Sequence, residues 1–321
     1  MTAAEAAVPA PNPPAPSAPP ARGLRQWLTR NPVVLKELRG RMRGPRAFIV
    51  LTVYLLLMSG FVTLLYMVYI ASTNDVYNGT SSQVVGKFVF GAVVGIELLL
   101  VCFIAPAFTA GAISGERERQ TYDLLRTTLL SATGLVLGKL ASALSFILLL
   151  LIAAFPLQSL AFLLGGVSPE EVVIATLVLV ATAFLFGASG VFFSSFMRRT
   201  LGSTVLTYAF ALMATLGLPL ILMAVLPLTN LFFYNTTPGP LLEAALIYGL
   251  GLLIVTNPIA TAVATEVLLV TEQTAFYFEI PLSNGVNVPL ISPWAPFIVF
   301  CLLLGALMTL ASILAVKRAE Q

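Results

Sequence analysis

The densest cluster of ionisable groups in this chain is "GERERQTYDLLRTTLLS", residues 115–131. Six of the eleven residues from Glu116 to Arg126 are charged, with both signs mixed, although only 10% of the chain is charged. Interleaved Glu and Arg suit recognition of a protein surface, because complementary pairs fix register and exclude wrong partners. A patch that only bound anionic lipid would be mostly basic. Leu124, Leu125, Leu129 and Leu130 add an apolar stripe that can seat a short helix in a groove. On these residues alone two readings stay open, a docking element for a cytosolic partner and a solvated connector.

Other chemistries are poorly supplied. The chain has no histidine, which excludes an imidazole-based metal or acid–base site. Cys102 and Cys301 fall inside apolar runs and read as small buried hydrophobes rather than a disulfide or metal pair. No phosphate-cradling G-x-x-x-x-G-K-[ST] sequence occurs. In "GLVLGKL", Gly134 and Gly138 stand one residue too close, and Leu140 occupies the place of the Mg²⁺-binding hydroxyl. Glu97, in "VVGIELLLVCF", is a carboxylate in the middle of an apolar run, a costly placement that raises a functional question by default. With no Lys or Arg in another apolar run, its expected partners are hydroxyls or backbone groups. It is either a polar contact at a dimer seam or substrate path, or a protonated carboxyl bonded to a neighbouring helix.

The elements that must position these residues are apolar. Hydrophobic residues make up 58% of the chain and mean hydropathy is +0.96, against about 45–50% apolar residues in soluble domains. A bilayer crossing needs about 20 apolar residues. Six runs qualify, at 47–70, 88–114, 140–164, 172–197, 201–226 and 293–316, and they predict an all-α polytopic membrane protein. What lies outside them is too small for a soluble catalytic or nucleotide-binding domain of ordinary size.

Charge orients the runs. Eight basic residues precede the first run, and Arg117, Arg119, Arg126 and Lys139 lie between the second and third. Arg198 and Arg199 lie between the fourth and fifth, and Lys317 and Arg318 follow the last. With both termini cytoplasmic, 16 of the 17 Lys and Arg residues fall inside and Lys87 alone outside, which is the bias of the positive-inside rule. Residues 241–270 could make a seventh run, but a full crossing would place Lys317 and Arg318 outside. Asn257-Pro258 also interrupts the run, where proline removes a donor and clashes with the preceding turn. Two short helices that dip into the outer leaflet and return are expected there.

Residues 1–21 form a Pro/Ala-rich arm expected to be disordered. Residues 22–46, basic and amphipathic with Trp27, read as a helix in the cytoplasmic membrane interface, and 317–321 as a short cytoplasmic tail. The domain plan is therefore an arm, an interfacial helix, a six-span domain over 47–316 with a loop at 115–139, and the tail. Small residues in "FGASGVFFSSF", together with Gly249 and Gly251, read as helix-packing contacts. Pro106, Pro156 and Pro219 read as kinks. The acids Glu170, Glu171, Glu266, Glu272 and Glu279 gather on the outer side, either as a solvated face or as a cation-attracting vestibule.

The segment "ERERQTYDLLRTTLLSATGLVLGKL" resembles the loop of ABC-2 type transporter permeases, Glu-Arg-Glu-x-Gly-Thr-Leu-Glu-Leu-Leu-x-x-Thr-Pro-Leu-Ser followed by Gly-Lys at the next span. Glu116, Arg117, Glu118, Thr121, Leu124, Leu125, Thr128, Leu130, Ser131, Gly138 and Lys139 match, and Asp123 is a chemically similar stand-in. Gln120, Tyr122 and Leu129 depart where the pattern has Gly, Leu and Pro, so a softer bend is expected. "NPVVLKELRGRMR" resembles the family's amphipathic first helix, and the similarity covers about residues 31–318.

The resemblance implies a permease subunit without catalytic activity or cofactor of its own, working as an exporter in the plasma membrane. It also implies a separate ATPase subunit that carries ATP and Mg²⁺, and a second permease chain in a homo- or heterodimer. The surrounding contact is membrane lipid, and no nucleic acid is involved. The ATPase-coupling interface implied is Glu116, Arg117, Glu118, Thr121, Asp123, Leu124, Leu125, Thr128, Leu130 and Ser131. Two other classes compete. One is a non-transporting scaffold that recruits a cytosolic complex through the same loop. The other is a secondary transporter, disfavoured because coupling-ion sites usually need more intramembrane charge than Glu97 supplies.

Overall fold

A computed structural model describes residues 40, 45–72, 82–121, 131–233, 239–271 and 274–318. The arm at 1–21, nearly all of the interfacial segment at 22–46, and Asp123, Leu124, Leu125, Thr128 and Leu130 lie outside the described residues.

The elements in chain order are α1 (Pro45–Ser72), α2 (Ser82–Thr109), a one-turn α3 (Ser114–Glu118), α4 (Ala132–Leu164), α5 (Pro169–Phe196) and α6 (Thr200–Phe233). There follow α7 (Pro240–Val255), α8 (Pro258–Thr271), strands β1 (Tyr277–Pro281) and β2 (Asn287–Ile291), and α9 (Trp294–Arg318). Among the described residues, α1, α2, α4, α5, α6 and α9 are long and apolar enough to cross a bilayer. The protein is a polytopic helical membrane protein, as the hydropathy predicts.

Helix starts follow local chemistry. Ser131 caps α4, its Oγ accepting from Gly134 N–H at 3.2 Å. Ser168 caps α5 in the same way through Glu171 N–H at 3.2 Å, with Pro169 in the first turn, where its missing donor costs nothing. The third span therefore starts at Ala132 rather than 140, and Lys139 lies buried on its second turn instead of ending a loop. Pro106 and Pro156 sit within α2 and α4.

α5 forms the centre and packs against α2, α4, α6, α8 and α9. Its small residues allow this close approach. A Cβ added at Gly190 would lie 1.9 Å from Thr109 Oγ1 on α2. One added at Gly305 on α9 would lie 2.5 Å from the Phe184 ring of α5. Phe186, Phe297, Leu179 and Cys301 fill the surrounding core, and Cys102 is likewise buried and free. Gly249, read as a packing contact, has open space where its side chain would be, whereas at Gly251 a Cβ would touch Leu290 at 3.6 Å. α1 packs mainly along α2 and α4, leaving Phe48, Leu56, Phe61, Leu64 and Met67 exposed on its outer face.

The 241–270 region forms two helices rather than one rod, and the chain turns by 118° between α7 and α8. At 16 and 14 residues each is about 21–24 Å long, shorter than the roughly 30 Å hydrocarbon core. Asn257 makes the corner. Its Nδ2 donates to the Ala214 and Thr215 carbonyls of α6, each at 2.8 Å, and its Oδ1 accepts from Ala260 N–H at 2.8 Å. The break thus caps α8 and pins it to a span with one side chain.

The fold is helical as expected, with one short strand pair added between α8 and α9. β1 and β2 form an antiparallel hairpin with Tyr277 opposite Ile291 and Pro281 opposite Asn287. Gly285 supplies the positive φ of 80° that its turn needs. Glu243 on α7 accepts from Ser283 N–H and Oγ, which ties the hairpin turn to α7.

Candidate functional site: a braced elbow between two spans

α2 ends at Thr109, and four turn residues, Ala110 to Ile113, lead into α3 at Ser114. The corner carries Gly111 and Gly115, where added Cβ atoms would meet Thr200 Cγ2 at 3.7 and 3.5 Å. Two hydroxyls satisfy the backbone groups that the broken helix frees. Ser194 Oγ, on α5, accepts from Ile113 N–H at 2.8 Å and Ser114 N–H at 2.9 Å. Ser203 Oγ, on α6, donates to the Ala110 carbonyl at 2.5 Å. The bend is therefore a built corner with its polar backbone paired.

The charged residues of α3 point at the bundle. Glu116 Oε1 meets Lys139 Nζ of α4 at 3.1 Å. Arg117 donates to the Ser195 carbonyl at 2.8 Å and reaches the Met197 carbonyl at 3.5 Å, at the end of α5. Glu118 Oε2 accepts from Thr200 N–H at 3.2 Å and also from the Thr200 hydroxyl. That carboxylate sits at the N-terminus of α6, the favourable end for negative charge. One turn of helix therefore touches three spans besides the one it extends.

α3 closes as a Schellman motif. Gln120 N–H donates to the Arg117 carbonyl at 3.1 Å, and Thr121 N–H to the Glu116 carbonyl at 3.0 Å, the paired bonds of that cap. Gln120 occupies the left-handed position with φ 58°, where glycine is usual. At Gln120 the backbone takes the glycine conformation with a glutamine in place, whereas Tyr122 and Leu129, the other two departures, lie outside the described residues. The Thr121 hydroxyl donates to the Glu116 carboxylate, and Arg119, Gln120 and Thr121 face outward. Beside the elbow opens a cleft of about 630 Å³ walled by Phe108, Gly111, Glu116, Arg119, Lys139 and Thr200.

The structure thus gathers Glu116, Arg117, Glu118 and Thr121 in one elbow and makes Ser131 the cap of α4. Sequence reading missed Ser194, Ser195, Thr200 and Ser203, which hold the elbow. Their sole local signal was the Ser-Ser pair in "FFSSF", read as packing.

Glu97 is fully buried on α2, and its Oε2 accepts from Gln158 Nε2 of α4 at 2.8 Å. Its partner is thus a side-chain amide rather than the hydroxyl or backbone group expected. Among the described residues, no group of three or more His, Cys, Asp or Glu side chains could hold a metal ion.

Six apolar spans about a buried central helix, joined by a charged elbow, define a multi-pass membrane protein. The sequence model of the family described as "ABC-2 family transporter protein" matches residues 32–319. The chain belongs to that family, and it is a membrane transport permease. No curated relative matches it.

Proposed function

We propose that this permease is driven by a separate ATP-binding cassette ATPase that docks on the elbow from Glu116 to Ser131, and that it works as an exporter. ATP and Mg²⁺ belong to that partner, and this chain performs no catalysis. The carrying observation is the bracing. Glu116, Arg117 and Glu118 bind α4, α5 and α6, while Arg119, Gln120 and Thr121 face outward. A push on the outward residues would be shared among several spans at once, which is the mechanical requirement for rocking a bundle between inward- and outward-open states. Asp123, Leu124, Leu125, Thr128 and Leu130 complete the contact as the family resemblance implies.

In this reading the elbow and both termini are cytoplasmic in the plasma membrane, which puts most of the basic residues on the inner side. Residues 22–46 lie on the cytoplasmic interface. α7 and α8, pinned at Asn257, dip into the outer leaflet without crossing it. The exposed apolar face of α1 meets lipid or a second permease chain, which completes the dimer.

A photo-crosslinking residue at Gln120, in membranes from the native host, should trap an ATP-hydrolysing subunit, and Arg119→Glu should weaken the capture. The reading fails if position 120 is labelled by an impermeant reagent from outside intact cells. It also fails if no ATPase associates with or without nucleotide.

A further inference from the structure

At the end of the bundle opposite the elbow, three helices bring charge together. Lys87 of α2 lies 3.2 Å from Glu171 Oε1 of α5 and 3.8 Å from Glu266 Oε1 of α8. Two carboxylates thus share one ammonium, an excess of one formal negative charge among the three side chains. Among the described residues, the second oxygen of Glu171 is buried with no hydrogen-bond partner, and the same holds for Glu266 Oε1 and the Thr265 hydroxyl. Glu171 is 7% and Thr265 4% exposed, so water does not offset these two orphaned groups cheaply, while the Glu266 side chain keeps 32% exposure. Glu171 stands at the third position of α5 after the Ser168 cap, in the Ser-x-x-Glu pattern of a capping box. Its side chain nonetheless turns to Lys87.

The same three residues, Glu171, Thr265 and Glu266, line a cavity of about 470 Å³. Its remaining walls are almost wholly apolar, with Phe90 and Leu98 from α2, Ile174 and Val178 from α5, and Ile259 and Val263 from α8. Along α2 the lining runs from Phe90 to Leu99, about 14 Å of helix. An apolar slot closed by a few convergent polar groups is the usual form of a small-molecule site. Here the orphaned groups are mainly acceptors with a net negative charge. The occupant must bring donors and positive charge to that end and an alkyl body to the other.

We propose that this cavity binds an amphiphile with a protonated amine head. The ammonium lies against Glu171 and Glu266 beside Thr265, and the alkyl chain lies along α2. An anionic head meets the excess negative charge, and a headless alkane leaves the acceptors unpaired. Two sources supply such an amine, an aminolipid of the bilayer and a free cationic amphiphile. Only the identification of this ligand as transported cargo rests on the ATP-driven reading. The binding itself does not.

The test is equilibrium binding of tritiated dodecylamine to the full chain in phosphatidylcholine nanodiscs, without ATPase. One saturable site is expected, unaffected by dodecanoate or dodecanol. Glu266→Gln and Glu171→Gln should each weaken binding roughly ten-fold or more, the loss of a charge-assisted bond. Gly95 lines the cavity, and a Cβ there meets nothing within 4 Å. Gly95→Leu should therefore fill the slot and remove binding from a folded protein that keeps both carboxylates. Phosphatidylethanolamine in the disc distinguishes the sources. Competition assigns the amine to lipid and its absence to a free amphiphile, and either result upholds the site. Purely non-saturable partitioning, or wild-type affinity in Glu266→Gln and Gly95→Leu, overturns it. Since no ATPase is present, loss of elbow coupling leaves this measurement unchanged, and the two ideas fail separately.

Discussion

Thr121 closes the elbow onto Glu116. Its N–H donates to the Glu116 carbonyl at 3.0 Å and its hydroxyl to the Glu116 carboxylate, while that carboxylate also holds Lys139 at 3.1 Å. One acid therefore links the end of a five-residue helix to the second turn of the next span. A helix so short has little stability of its own, so its geometry depends on these contacts and on the cap.

The cap gives the first prediction. Gln120 holds φ 58°, a conformation that costs a residue with a Cβ about 1–2 kcal/mol. Gln120→Gly should protect the Thr121 amide against hydrogen exchange. Gln120→Val, β-branched at a left-handed position, should speed exchange and weaken ATPase capture. Equal protection in all three proteins would mean that this backbone turn does not limit the elbow.

Bracing and docking should separate. Glu118 binds Thr200 at the start of α6, so Glu118→Ala should leave the ATPase co-purifying while its stimulation by the permease falls several-fold. Arg119→Glu should instead reduce co-purification. If both variants lose the ATPase equally, Glu118 is part of the docking face and the division drawn here is wrong.

Packing at the centre sets a third expectation. At Gly190 a Cβ would approach Thr109 Oγ1 to 1.9 Å and the Ala110 backbone nitrogen to 3.1 Å. Gly190→Ala should destabilise the protein by about 1–3 kcal/mol, as overpacking does, and Thr109→Ala should recover part of that. Gly91→Ala faces open space and should stabilise the helix by roughly 0.5–1 kcal/mol. Thermal midpoints in detergent compare the two, and equal midpoints would refute the close α2–α5 contact.

The spans were legible because a crossing helix must be apolar over its whole length, a signal that survives without any tertiary knowledge. The elbow's composition was legible for the converse reason, as charge between two apolar runs. Its bracing was not, since Ser194 and Thr200 lie some 80 residues away in sequence and a lone hydroxyl carries no local signature. Lys139 was mistaken for a boundary because an isolated charge looks like one, whereas pairing with Glu116 lets it stay inside a helix. The hairpin did have a signal: Asn284-Gly285 lies between alternating residues, a known hairpin cue, but hydropathy dominated the reading of that region.

Asn257 carries three hydrogen bonds, two to α6 and one capping α8. Asn257→Ala should cost about 1–3 kcal/mol in total, given a net value near 1 kcal/mol per bond. Asn257→Asp keeps the cap acceptor but sets a carboxylate against two carbonyls, so it should be worse than alanine despite its similar shape. Thermal midpoints give the ranking. An aspartate variant as stable as wild type would show that the corner is not held to α6 in this way.

Glu97 and Gln158 form a buried polar link between α2 and α4 at 2.8 Å. Removing one partner of a buried bond leaves the other unsatisfied, whereas replacing both with apolar groups can be nearly neutral. Gln158→Leu should therefore destabilise the bundle by about 1–3 kcal/mol, and adding Glu97→Leu should recover most of the loss. Glu97→Gln retains an oxygen that can accept from Gln158 and should assemble and stimulate the ATPase like wild type. Thermal midpoints of the four proteins in this double-mutant cycle measure the coupling, and ATPase stimulation of Glu97→Gln measures function. If Glu97→Gln folds normally but stimulation collapses, the carboxyl acts in transport and its role is not confined to joining the two helices.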